Sequence, residues 1–162
     1  PAVTIDNFAR VAFDMQALTT IENAKGVNSW TINRSPVSPE NQQVIHANRD
    51  MLYMAAVVDI KNGAQISVPV ANDRYTSFSI INRDGYTKDI FYGGGTHSLD
   101  KDFIGSDFVY VIGRIMVDAE NQEDIVRANR IQDGVQIFSG SDTPFPIIEY
   151  DMNSYEKLIL SY

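Results

Sequence analysis

The sequence predicts a mainly β protein, α+β only at its margin: an antiparallel β-sandwich, jelly-roll-like, with an N-terminal helix and a helix after the last long strand. Three observations carry this expectation. Apolar residues alternate with period two through Met51 to Ile60, Ala64 to Val70 and Asp107 to Val117, the pattern of strands that bury one face. Asn62-Gly63, Asn72-Asp73 and Asp84-Gly85 punctuate this region at the spacing of about 8–12 residues typical of sandwiches. Helical spacing is confined to segments outside it.

The chain of 162 residues suits one domain, 1–162. Helix 4–24 comes first, with Thr4 as N-cap, Asp6 in the first turn and Gly26 as the stop. Its stripe of Phe8, Val11, Ala12, Met15 and Leu18 is expected to dock on a sheet, Phe8 included. Residues 27–47 are polar and contain Pro36 and Pro39. They read as a long loop wrapping the domain, pinned by Trp30 and Val44.

A β meander is expected over residues 51–117. Leu52, Met54, Ala56, Val58 and Ile60 share one face of its first strand, with Arg49, Tyr53, Ala55, Val57 and Asp59 on the other. Asn62-Gly63 signals a hairpin into Ala64–Val70, where Ile66, Val68 and Val70 point inward. Pro69 cannot donate to a ladder, which assigns that strand to an edge or a bulge. Asp84-Gly85 turns the strand 74–82 into 87–92, and Gly93 to Gly95 release the chain. In 107–117, Val109, Val111, Ile115 and Val117 share one face, while Phe108, Tyr110, Ile112 and Arg114 line the other. Gly113 inside this strand marks a bulge or a close approach. Asn121 caps a surface helix, 121–133, with Glu123 and Asp124 in its first turn. The segment 143–162 holds a short strand near Ile147 and a helix from Ser154.

The chain has 21 acidic against 13 basic residues, a net charge of -8. This argues against a nucleic-acid partner, which needs a basic face, and against docking on anionic membranes. The absence of cysteine excludes disulfides, thiolate catalysis and Cys-ligated metal. No apolar run reaches the length of a membrane span, and the start PAVTIDNF lacks a signal-peptide pattern. Cytoplasmic and mature exported locations both stay open.

Sites of standard chemistry are sparse. His46 and His97 lack metal-ligand spacing and read as polar loop residues, so no metal and no cofactor are expected. No Gly-Lys-Ser/Thr follows Gly95, so the glycine run reads as a loose turn and not a phosphate cradle. No G-x-S-x-G elbow occurs. The informative pattern is Arg49, Arg74 and Arg114 at strand ends, with Asp50, Asp59, Asp73 and Asp84 near in the chain. A guanidinium fork suits carboxylates, phosphates and sugar hydroxyls, and tyrosines add flat faces with polar tips. The expected pocket comprises Arg49, Asp50, Tyr53, Arg74, Tyr75, Asn82, Asp84, Tyr86 and Arg114, for a small carboxylate or sugar. The competing reading makes the arginines ion-pair ties between strand ends. A hydrolase with Asp50 or Asp84 as base is a further alternative, though three nearby arginines would leave such a carboxylate a weak base at neutral pH. So is a structural module, such as a homo-oligomer subunit or a virion component, with an exposed apolar patch.

The segments NRDMLYMAAVVDI, DRYTSFSIINRDGY, VIGRIMVD and IQDG, in this order, resemble the domain of unknown function 1254 family from about Asn7 to Asp133. The resemblance implies a mainly β, jelly-roll-like domain, often exported and often followed by a second conserved domain that this sequence lacks. It implies no established chemistry. Met51 stands where that family usually has Thr, and Asp73 where Gly often precedes the Arg-Tyr pair.

Overall fold

Two open antiparallel sheets share one apolar interior in the computed structural model, which describes residues 1–36, 50–71 and 73–161. In chain order the elements are α1 (Phe8–Ala24), β1 (Trp30–Ile32), β2 (Met51–Asp59), β3 (Ala64–Val68), β4 (Thr76–Ile81) and β5 (Thr87–Tyr92). They continue with β6 (Gly95–Leu99), α2 (Lys101–Ile104), β7 (Phe108–Met116), α3 (Gln122–Gly134), β8 (Gln136–Ser139) and α4 (Met152–Leu160). The larger sheet runs β1-β2-β7-β4-β5 and the smaller β6-β3-β8. Val44, His46, Arg49 and Asn72 lie outside the described residues.

Period-two alternation sets the interior. Leu52, Met54, Ala56 and Val58 of β2, with Val109, Val111 and Ile115 of β7, are buried against Ala64, Ile66 and Val68 of β3. Each Leu, Ile, Val or Met among them, taken fully out of water, contributes about 1.5–3 kcal/mol. β2 and β7 pair without a break from Met51↔Met116 to Asp59↔Phe108. Part of the outer face is also buried: Val57, Phe108 and Tyr110 pack against Phe13 and Ala17 of α1 and against Phe145.

The arrangement is not a meander, because β7 sits between β2 and β4. Asn62-Gly63 makes no hairpin; Gly63, at φ +81°, donates its N–H to the Ile60 carbonyl at 3.0 Å, and the turn carries the chain from one sheet to the other. Nor is β3 an edge strand. It is the centre of the smaller sheet and ends at Val68, before Pro69 could leave a gap in the ladder, and Val70 is exposed. The turn at Asp84-Gly85 does close a hairpin, β4 with β5. No strand forms near Ile147, whereas β1, β6 and β8 form in segments that lack a long alternating run.

α1 begins at Phe8 with Asn7, not Thr4, in the cap position. It ends at Ala24, where the Gly26 N–H reaches the Ile21 carbonyl at 2.9 Å. Its buried residues are Val11, Phe13, Asp14, Ala17 and Thr20, a face rotated from the apolar stripe. The rotation has a polar cause. Asp14 is held by Arg83 and Thr20 by the Tyr110 hydroxyl at 2.8 Å, so both can be buried. Phe8 is only half-buried and stacks on Tyr155 of α4 at 5.5 Å. α3 is capped by Asn121, whose side chain accepts from the Asp124 N–H. α4 starts at Met152 because Asp151 caps it, accepting from the N–H groups of Asn153 and Ser154.

Gly113 answers to a close approach, with no bulge in the β2–β7 register. A Cβ there would stand 2.6 Å from Cε1 of Phe78. That ring stacks on Phe91 at 5.5 Å and meets Trp30 edge-on at 6.0 Å, so it has nowhere to retreat. Gly113→Ala is therefore expected to lower stability by about 1–3 kcal/mol through overpacking, despite the entropic gain alanine brings. Denaturant titration checks this, and an unchanged or higher midpoint would contradict it.

Candidate functional site

The nine residues of the expected pocket do not converge. Arg49 lies outside the described residues. Asp50 is exposed just before β2, with its carbonyl accepting from the Val117 N–H at 2.9 Å. Arg74 forks onto Asp124, Nη1 to Oδ2 at 3.0 Å and Nη2 to Oδ1 at 2.5 Å, and Nη1 also donates to the Met116 carbonyl at 2.6 Å. Both side chains are largely shielded, 14% and 15% exposed. This is a tie between the start of β4 and the first turn of α3. Asn82 is buried; its Oδ1 accepts from the N–H groups of Asp84 and Tyr86, and its Nδ2 donates to the Ile104 carbonyl. It builds the hairpin and pins it to α2. Asp84 makes an exposed ion pair with Arg10 at 3.0 Å, and Tyr86 is exposed. Arg74 and Asn82 share strand parity, but eight residues of extended chain separate them by roughly 25 Å. One pocket cannot hold both.

Arg114 and Tyr53 do come together. α1 covers the outer face of the larger sheet over Val57 and Tyr110. Beyond that cover, pairing aligns Tyr53 of β2 with Arg114 of β7, Arg114 with Ser77 of β4, and Ser77 with Tyr92 of β5. The four lie on one face, in one row across four strands. The Arg114 guanidinium stands 5.9 Å from the Tyr53 ring centroid and donates through Nη1 to Ser79 Oγ at 3.3 Å. Arg74 and Arg83, the other half-buried arginines among the described residues, hold carboxylates; Arg114 has no ion pair there. Beside the row opens a concavity of about 260 Å³ lined by Thr31, Asn33, Tyr53 and Ala55, among others. Tyr75 extends the aromatic surface, its ring 6.0 Å from that of Tyr92. Ser77, Ser79 and Tyr92 carry no signal of their own in the sequence; strand register alone brings them to Arg114.

A second polar cluster ties α1 to the β4–β5 hairpin. Asp14 takes Nε and Nη2 of Arg83 at 2.9 and 3.0 Å and the Tyr150 hydroxyl at 2.7 Å. Burial, followed by the Asp14 carboxylate, pushes the Tyr150 phenol up from its ordinary value. His97 is not a loop residue: it lies on β6, stacked on Phe91 at 3.8 Å. His46 lies outside the described residues. Among the described residues no three His, Asp or Glu side chains group as a metal site, and no helix is long and apolar enough to cross a membrane.

Residues 27–103 match the model of a family described as "Protein of unknown function (DUF1254)". No curated protein matches the chain. Among solved structures the chain is similar to the VPA0106 protein from Vibrio parahaemolyticus, with a TM-score of 0.65 and 20% identity. The match covers 90% of this chain and 40% of that one. The likeness is one of fold, and the chain spans less than half of that protein's length.

The Arg74–Asp124 pair sets an acid dependence. Hydrogen bonds from Arg74, and then the Asp118 N–H, hold the Asp124 carboxyl far below the usual carboxylate range. A group depressed in the folded state stabilises fully above its unfolded pKa of about 3.9, and that stabilisation fades as pH falls below it. Arg74→Ala is expected to cost about 2–3 kcal/mol at pH 7, as for a shielded hydrogen bond to a charged group. The gap between variant and wild type should narrow below about pH 4. Urea titrations across a pH series check this; a gap constant down to acid pH would contradict the assignment.

Proposed function

For a chain whose residues 27–103 match the DUF1254 family model, we propose binding of a small carboxylate-bearing ligand on the open half of the larger sheet, at Arg114. The observation that carries this reading is a half-buried guanidinium that makes no ion pair among the described residues, set between Tyr53 and Ser79. A guanidinium offers five N–H donors in a planar fork that matches a carboxylate. Ser79 takes one direction of that fork and orients the rest. Tyr53 and Tyr92, from strands on either side, supply faces for the remainder of the ligand, a sugar ring or an apolar chain. Rigid strands hold these groups, so little ordering cost falls on binding.

The reading is binding and not hydrolysis: Asp84, a candidate base, is paired with Arg10 at the other end of β4, away from Arg114. A second reading draws on the same face. Tyr75, Ile90, Tyr92 and Met116 are exposed there, a surface on which a second copy of the chain could seat.

A thermal-shift and calorimetric screen of benzoate, succinate and gluconate tests the first reading. A bound carboxylate at 100 times its dissociation constant should add about 2.7 kcal/mol to the wild type and nothing to Arg114→Ala. That variant alone should stay within about 0.5 kcal/mol of the parent. A loss of about 3–5 kcal/mol in Arg114→Ala would mark a structural tie. No response to any carboxylate, with concentration-dependent sedimentation, would favour self-association.

A further inference from the structure

We propose a second ligand site, independent of Arg114, that takes a phosphate dianion. It is a cleft of about 440 Å³ at the hairpin end of β4, lined by Arg10, Lys61, Arg83 and Lys101. These four cations come from α1, the turn after β2, the β4–β5 hairpin and α2. They meet against their mutual repulsion, in a chain with eight more acids than bases.

The cations are not equally engaged. Lys61 makes no ion pair among the described residues; its Nζ donates to Thr143 Oγ1 at 2.7 Å and stands 4.9 Å from the Phe108 ring centroid. Arg83 is fixed, with Nε and Nη2 on Asp14 and the guanidinium 5.6 Å from the Phe145 centroid, and it lines the cleft. Lys101 and Arg10 have partners, Asp107 at 2.8 Å and Asp84 at 3.0 Å, but all four of these side chains are about half exposed, between 45% and 48%. Such exposed pairs are worth little and exchange readily. Asp102 and Asp107 also line the cleft, and Asp14 and Asp84 hold Arg83 and Arg10, so four acids balance the four cations as the cleft stands. A phosphate there would take the place of Asp84 and Asp107 in the two exposed pairs.

Geometry favours phosphate over a single carboxylate. One planar fork satisfies a carboxylate, whereas ammonium and guanidinium donors arriving from four elements suit a tetrahedral group. Phe108 and Pro146 form an apolar wall of the same cleft, suited to the organic part of a phosphate ester. Free phosphate and a phosphate monoester share the chemistry that the cations recognise.

Calorimetry and amide chemical-shift titration with inorganic phosphate and with phenyl phosphate test this on the whole chain at fixed ionic strength. Saturable binding is expected, weakened about tenfold, or 1.4 kcal/mol, in Lys61→Ala and to a lesser extent in Lys101→Ala, and unchanged in Arg114→Ala. Both lysine variants keep the Arg83–Asp14 pair, and their melting curves verify the fold. Tighter binding of phenyl phosphate would identify a monoester as the natural ligand; equal binding would identify free phosphate. No saturable response to either probe, a response unaffected by both lysine variants, or one lost in Arg114→Ala would overturn the proposal.

Discussion

The ring of Phe78 lies across the backbone of Gly113, and the joining of the two sheets depends on that crossing. Phe78 belongs to β4, yet it meets Trp30 on β1, two strands beyond its neighbour β7. On its other side it stacks on Phe91 of β5, which stacks in turn on His97 of β6, a strand of the smaller sheet. A line of rings thus runs across the interior from one edge of the larger sheet into its partner. Any side chain at 113 would stand in its path, so the position requires the one residue without a Cβ. Offset and edge-on ring contacts each add about 0.5–1.5 kcal/mol beyond their buried area. The cluster is therefore a directional as well as an apolar tie.

A second tie is polar. Asp59, at the end of β2, is fully buried. Burial alone would raise its pKa, yet hydrogen bonds from the Thr143 N–H and hydroxyl and from the Lys61 N–H more than offset it, and the carboxyl sits below its ordinary value. Its own N–H donates to Asn28 Oδ1, and its carbonyl accepts from Ser139 of β8. A buried charge costs little only when surrounded in this way. The same hydroxyl of Thr143 receives the Lys61 ammonium, so the network that closes this end of the sandwich also holds a cation, whose residue lines the neighbouring cleft.

Much of the fold was legible in the sequence because burial on one face writes itself as alternation. Leu52 through Val58 and Val109 through Val117 are buried as their spacing requires, and Asn121 caps α3 through a local contact that four residues suffice to encode. Partnerships were not legible. Asn62-Gly63 reverses the chain but says nothing of which strand lies alongside afterwards. The acid that holds Arg74 is Asp124, fifty residues on, and not its chain neighbour Asp73. The face of α1 was misread because counting apolar residues overlooks Asp14 and Thr20, which are buried with their hydrogen bonds made. For the same reason only part of the Arg114 cluster is legible: Tyr53 and Arg114 stand out in the sequence, while Ser77, Ser79 and Tyr92 reach Arg114 through register alone.

The turn that takes the chain out of the larger sheet also sets an order of events in folding. β3 is laid down early in the chain, yet its partners are β6, where Ala64 meets Leu99, and β8, where Ala64 meets Ser139. Its second hydrogen-bonding edge stays open until Gln136–Ser139 is present. Long-range pairing of this kind places a protein among the slow folders, on the scale of about milliseconds to seconds. Meanwhile an apolar strand with an unpaired edge is a template for other chains. The sequence Ala64–Val68 is thus a strand whose second ladder is reserved for β8.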